Sequence, residues 1–281
     1  MNPKALLGAG ATCALAALGA RADKKAYAPV NGLQMYYEVH GAGRPLVLLH
    51  GGGSTIETSF GKVLPSLARS RQVIAVEQQG HGHTADVEGR PFTFEQSADD
   101  AAALLRFLGI ENADFWGYSN GGTIALQIAL RHPQLVRKLV LVSALFKRDG
   151  APPEFWESMK HAKLQEMPAE LQKAYLATAP HPEQLPTFFE KSVQRMLTFK
   201  DLRPEDIRSI QAPALVLIGD SDVVRPEHAV ETFRLLPHAR LAILPGADHV
   251  AVVQRADLLL SIVPDFLDAP LPGDGAPKRL P

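Results

Sequence analysis

The chain has 281 residues, 46% of them hydrophobic and 21% charged, with a formal net charge of -1. That apolar content supports one large folded domain or a domain plus an insertion, and argues against disorder. The near-neutral balance, without a basic cluster, excludes nucleic acid and anionic membrane surfaces as expected partners and leaves a small molecule.

The amino-terminal stretch "MNPKALLGAGATCALAALGARADKK" differs in composition from all that follows. Lys4, an apolar run from Ala5 to Ala20, and Ala20-Arg21-Ala22 before Asp23 read as a secretory signal over residues 1–22. The run is short of the roughly 20 residues a spanning helix requires, so no stable membrane insertion is expected after its removal. The expected location is periplasmic or secreted; a cytoplasmic one is the alternative if the segment is not a signal. Cys13 is the only cysteine and lies inside this segment, so a chain beginning at Asp23 would form no disulfide.

Next, "APVNGLQMYYEVHG" reads as two strands joined at Asn31-Gly32, a dipeptide suited to a tight hairpin turn. "RPLVLLHGGG" is a continuous apolar run for a strand buried on both faces, ending in a glycine-rich loop. A helix is predicted from Glu57 to Ser70, then strand "QVIAVE", helix "TFEQSADDAAALLRFLG", strand "ADFWGYS", a helix from Gly121 and strand "KLVLVSA". Such alternation predicts an α/β fold: a mostly parallel sheet with helices on both faces. It breaks after Ala144. About 65 residues of helical spacing follow before "APALVLIGD", and an all-helical insertion between strands 6 and 7 is expected to form a cap. Strand and helix then alternate again through "PEHAVETFRLL", "ARLAILPG" and "RADLLLSIVPDFL". The expected division is a core of residues 23–145 and 212–268, a cap of 146–211 and a Pro- and Gly-rich tail of 269–281.

The chemistry centres on "FWGYSNGGTIAL". Ser119 falls at a strand-to-helix turn, with Gly117 and Gly121 removing side chains that would collide there. A serine hydroxyl is a weak nucleophile at neutral pH. It needs a base, and the base needs an acceptor to fix its tautomer and stabilise its cation. Two later strands end in the required types: Asp220-Ser221-Asp222 and Ala247-Asp248-His249. Asp248, adjacent to the histidine, would struggle to reach its ring and is expected to shape the loop.

The order Ser119, Asp222, His249, preceded by "LLHGGG" and carried on "GDSD" and "GADH", resembles the α/β-hydrolase family from about Val30 to Leu267. The resemblance implies the α/β-hydrolase fold and a Ser-His-Asp triad with Asp222, the last residue of a G-x-x-D turn, as the acid. It implies an oxyanion hole built from the backbone N–H of Asn120 and of Gly52, with Gly53 the neighbouring possibility, and it makes His50 structural. Haloalkane dehalogenases and epoxide hydrolases attack with aspartate and do not fit Ser119. Proline iminopeptidases generally show H-G-G-P-G and do not fit "HGGGST". Sequences with a segment similar to "VEQQGHGHTAD" are described as esterases and lactonases, including acyl-homoserine lactone hydrolases and serine-dependent macrolide esterases.

The implied function is hydrolysis of a small-molecule carboxylic ester or lactone through an acyl-enzyme, with no cofactor. A cofactor-free perhydrolase, a C–C bond hydrolase and a non-catalytic ligand-binding protein are the alternatives. No metal is expected, because "HGHTAD" does not match the H-x-H-x-D-H of zinc lactonases. His81 and His83 are expected to hold the loop after the fourth strand, where Glu77, Gln79 and Thr84 replace the acid, arginine and serine common in the family. Phe155, Trp156, Met159 and Phe189, with Gly53, are the candidate substrate-binding residues. Tyr175, Phe188, Met196 and Phe199 could join them, although more than half of these cap side chains are expected to pack onto the core. Oligomeric state is left open.

Overall fold

The computed structural model describes residues 23–271; the signal-like segment with Cys13, and residues 272–281 of the expected tail, lie outside them. Eight strands form one sheet: β1 (Lys24–Val30), β2 (Leu33–His40), β3 (Arg44–Leu49), β4 (Arg71–Val76), β5 (Ala113–Tyr118), β6 (Val136–Val142), β7 (Ala214–Gly219) and β8 (Ala239–Leu244), in the order β1-β2-β4-β3-β5-β6-β7-β8. β2 runs antiparallel to β1 and β4, while β3 to β8 are mutually parallel. Asn31 (φ 48°) and Gly32 (φ 79°) close the first hairpin, with Val30 opposite Leu33. Two consecutive left-handed residues make the turn whose twist matches that of the flanking strands.

Successive strand residues face opposite sides, so each central strand feeds two cores. Val47, Leu49, Phe115, Leu139, Leu141, Val216 and Ile218 pack on one face with α3 (Phe94–Phe107) and α4 (Asn120–Arg131). Leu46, Leu48, Trp116, Val140, Val142, Leu215 and Leu217 pack on the other. That face is covered by α1 (Ile56–Phe60), α2 (Leu64–Leu67), α10 (Ala251–Gln254) and α11 (Ala256–Asp268). The single helix expected from Glu57 to Ser70 is therefore two. Gly61 ends α1, its N–H on the Glu57 carbonyl, and Pro65, which has no amide hydrogen, is accommodated in the first turn of a new helix.

Between β6 and β7 lie α5 (Pro153–Lys160), α6 (Ala169–Thr178), α7 (Leu185–Leu197) and α8 (Pro204–Ser209). Of these, α8 packs against α4 and α9 (Pro226–Leu235) of the main body. No helix among the described residues is long and apolar enough to cross a membrane.

Candidate active site

Ser119 joins β5 to α4 with φ 53° and ψ -119°. For a non-glycine residue this left-handed backbone costs about 1–3 kcal/mol, and its surroundings must enforce it. They do so by close approach: a Cβ on Gly117 would stand 2.1 Å from the Gly121 carbonyl oxygen, and one on Gly121 would stand 1.9 Å from that of Leu49. Only glycine fits at either position. The Ser119 N–H donates to the Val142 carbonyl at 2.8 Å, and its own carbonyl accepts from Gly122 and Thr123 as α4 begins.

Three side chains meet there. His249 Nε2 lies 3.0 Å from Ser119 Oγ, and Nδ1 lies 2.7 Å from Asp222 Oδ1. An ionised carboxylate only accepts, so Nδ1 carries the hydrogen and Nε2 is free to accept from the serine hydroxyl. The Asp222 side chain is fully buried and also accepts from Val224 N–H at 2.9 Å and Ser143 Oγ at 2.5 Å. Burial pushes its carboxyl up, but His249, Ser143 and Val224 together outweigh that and hold it below the ordinary aspartate range.

The other two candidate acids serve the loops. Exposed Asp220 accepts from Gly246 N–H at 2.9 Å, and Asp248 accepts from Val250 and Ala251 N–H at 2.9 and 2.7 Å. A Cβ on Gly219 would stand 1.9 Å from the Ala247 carbonyl, which is how closely the Asp222 and His249 loops press together. Tyr118 packs against the sheet and donates to the His249 carbonyl at 2.8 Å.

Ser143 was not legible in the sequence. It sits at the end of β6 with φ 54°, after Asn31 and Ser119 a third non-glycine residue in left-handed backbone, and its N–H on the Leu217 carbonyl ties it to the strand that leads to Asp222. The one sequence signal was a serine directly after the buried strand neighbouring the acid's.

The expected oxyanion donors flank the serine. A Cβ on Gly52 would stand 2.4 Å from Asn120 Nδ2, so these two residues abut. The Gly52 N–H has no acceptor among the described residues, whereas the Gly53 N–H is directed at His81 Nε2 at 3.4 Å. Asn120 is the first residue of α4, where an N–H has no intrahelical partner. The loop behind them is held by neutral histidines. His50 is fully buried, donates from Nδ1 to the Gly51 carbonyl at 2.8 Å and accepts at Nε2 from Gln78 N–H at 3.0 Å; burial pushes it down to about 4. His81, also buried, donates from Nδ1 to the Gln79 carbonyl at 2.9 Å.

The substituted loop after β4 has its own bonds. Glu77 accepts from the His83 N–H at 2.6 Å and pairs with His83 Nδ1 at 2.9 Å. Thr84 Oγ1 donates to the Glu77 carbonyl at 2.8 Å, and Gln79 Nε2 donates to Asp86 at 2.7 Å. Among the described residues no group of histidine, cysteine and carboxylate side chains could hold a metal ion.

A cavity of about 420 Å³ opens above Ser119, Asn120, Gly52 and Gly53. Phe155, Met159, Phe188, Phe189 and Met196 line it, as do Met167, Leu171 and Val193, which no aromatic pattern had singled out. Trp156 does not, and its candidate role is corrected. Phe155 and Met159 are four residues apart and share the cavity face of α5, while Trp156 is rotated about 100° from that face. Its ring packs against Phe199 and the Arg148 guanidinium, and Nε1 donates to the Arg148 carbonyl at 2.7 Å. Tyr175 and Phe199 likewise lie outside the cavity lining and are buried in packing, as expected for part of this set. Lys163 and Glu166 are exposed at the rim.

A family model described as the alpha/beta hydrolase fold matches residues 44–185. The 2-hydroxymuconate semialdehyde hydrolase of Pseudomonas sp. (strain CF600) is 30% identical over 248 residues, covering 81% of this chain and 88% of that protein. Among solved structures, the enol-lactonase from Burkholderia xenovorans LB400 superposes with a TM-score of 0.70 at 24% identity, covering 86% of this chain and all of that one. Est816, an N-acyl homoserine lactone degrading enzyme, does so with a TM-score of 0.72 at 24% identity and the same coverage. With its sheet order, its serine turn and these matches taken together, the chain belongs to the α/β-hydrolase fold family.

Proposed function

We propose that the protein is a serine hydrolase of small, largely apolar carboxylic esters or lactones. The observation that carries this is the bridge of His249 between Ser119 Oγ and buried Asp222 at the floor of an apolar cavity. His249 Nε2 takes the hydroxyl proton as Ser119 Oγ attacks the carbonyl carbon, and Asp222 stabilises the resulting imidazolium. The N–H groups of Gly52 and Asn120 meet the oxyanion. His249 returns the proton to the departing alcohol oxygen, and the same base then activates water to release the acid.

The semialdehyde hydrolase favours a second reading, C–C bond hydrolysis. A muconate is a carboxylate, and an apolar site that takes one needs a cation to pair with it. Among the described lining residues the cation is Lys163, exposed at the rim, so the cavity suits an uncharged ester better. Its volume is near the small end of the roughly 300–1,000 Å³ of ligand pockets, which fits short and medium acyl chains or small lactone rings better than macrocycles.

The test is one panel of p-nitrophenyl esters, acyl-homoserine lactones, macrocyclic lactones and a 2-hydroxymuconate-type dienoate. Short and medium esters and small lactones should turn over, and the dienoate and macrocycles should not. A dienoate cleaved faster than every ester would move the reading to C–C hydrolysis.

Ser143→Ala supplies a further expectation within this mechanism. Removing a hydroxyl that donates to the Asp222 carboxylate leaves more negative charge facing His249, so the acidic limb of the pH–rate profile should move to higher pH. Turnover should fall about tenfold, since a hydrogen bond to a charged group contributes about 1.5–3 kcal/mol. An unchanged profile would show that Ser143 does not act on the acid.

A further inference from the structure

Arg195, on α7, is buried although no carboxylate lies within ion-pair distance of it among the described residues. Its guanidinium donates from Nη1 to Gln78 Oε1 at 2.9 Å and from Nη2 to Ser97 Oγ at 3.0 Å, between the rings of Phe92 and Phe94. Burying a guanidinium against neutral acceptors is an expensive way to seat a helix, and apolar side chains would do that at less cost. What Arg195 does that an apolar side chain cannot is choose the orientation of the Gln78 amide.

A guanidinium is donor-only, so the amide atom facing it must be Oε1. Nε2 is thereby turned to the other side, where it donates to the His50 carbonyl at 3.0 Å. The Gln78 backbone N–H meets the same residue at His50 Nε2, also at 3.0 Å. His50 leads directly into Gly51 and Gly52. From the same helix Phe188 packs edge-on against His81, whose Nε2 faces the Gly53 N–H. Both ends of the Gly51–Gly53 loop are thus braced from α7, and Phe189, Val193 and Met196 of that helix line the cavity.

We propose that Arg195 is a positioning residue: by fixing the amide of buried Gln78 it anchors the His50 carbonyl and so holds the Gly52 N–H where the oxyanion forms. The proposal rests on the ester-hydrolase reading. It links the seating of the helix that walls the cavity to the competence of the oxyanion loop.

Two variants separate this from mere packing. Arg195→Met removes the donor at similar length. Gln78→Glu keeps an acceptor for Arg195 and strengthens that contact, but sets a carboxylate oxygen against the His50 carbonyl. Each should lower kcat about 10- to 100-fold with KM within about threefold, below or at the lower bound of losing an oxyanion donor outright. Each should also move the Gly52 and Gly53 amide resonances in a ¹⁵N–¹H spectrum. Arg195→Lys, which can still donate to Oε1, should recover part of the loss. Gln78→Glu protein with wild-type kcat and unmoved glycine amides would overturn the proposal, and this variant decides the matter even where Arg195→Met destabilises the fold. A wild type that cleaves no ester would overturn the functional reading instead, and the glycine amides would still report the coupling.

Discussion

Ser119→Ala should lower ester turnover by roughly 10⁵- to 10⁶-fold, the scale on which removal of a triad nucleophile acts. His249 keeps its bond to Asp222 in this variant, but no oxygen remains at 3.0 Å to be deprotonated. Residual hydrolysis from the oxyanion donors and the cavity alone should survive. The substitution retains a Cβ at φ 53° and therefore the backbone strain, so thermal stability should stay close to wild type. Ser119→Gly removes the same nucleophile and relaxes that strain. It should be equally inactive but more stable, by up to about 1–2 kcal/mol once the added unfolded-state entropy of glycine is subtracted. The check is steady-state kinetics beside fluorophosphonate labelling and a melting curve for each variant; an alanine variant with ordinary turnover would end the mechanism.

Acidification should destabilise the protein well above the pH at which carboxylates protonate. His50, His81 and His228 are all buried, and burial is the largest cause of a depressed pKa in each: about 4 for His50, about 3 for His228, and well below the ordinary range for His81. Unfolded, each titrates near 6.5. Below that pH the unfolded chain takes up three protons that the folded chain refuses, so unfolding becomes progressively easier as pH falls from about 6.5 to about 4. Each histidine contributes a slope approaching 1.4 kcal/mol per pH unit. His83 works in the opposite direction, since its hydrogen bond to Glu77 raises its pKa, but its partial exposure weakens that contribution. Against a typical stability of about 5–15 kcal/mol, the remaining slope is large enough to bring unfolding into the range between pH 6.5 and 4. Urea unfolding at pH 7 and pH 5 measures it, and a stability difference under about 1 kcal/mol would refute the account.

The framework of the site was legible in the order of residues. Strand period, the glycines at 117 and 121, and the order of Ser119, Asp222 and His249 are local properties. Because each of the three residues follows one of the mutually parallel strands β5, β7 and β8, placing the strands places their ends together. Of the two neighbouring glycines, the Gly52 N–H has no acceptor among the described residues and that of Gly53 is directed at His81. Asp220 and Asp248 could be set aside in the same way, from their positions relative to a turn and to the histidine.

The features that were not legible are side chains whose direction depends on a neighbour distant in sequence. The helix expected from 57 to 70 broke at Gly61 and Pro65 because α1 and α2 each had to bury a short apolar face against β3 and β4. Trp156 and Phe155 are adjacent and equally apolar, and only the rotation of α5 against the body sends one to the cavity and the other to packing. Ser143 acquires its partner from the loop after β7, 79 residues later, and Arg195 from Gln78, 117 residues earlier. Periodicity reports which face of an element is buried; it carries no record of what that face is buried against, and the acid's second partner, the pocket wall and the brace on the oxyanion loop are all set by that pairing.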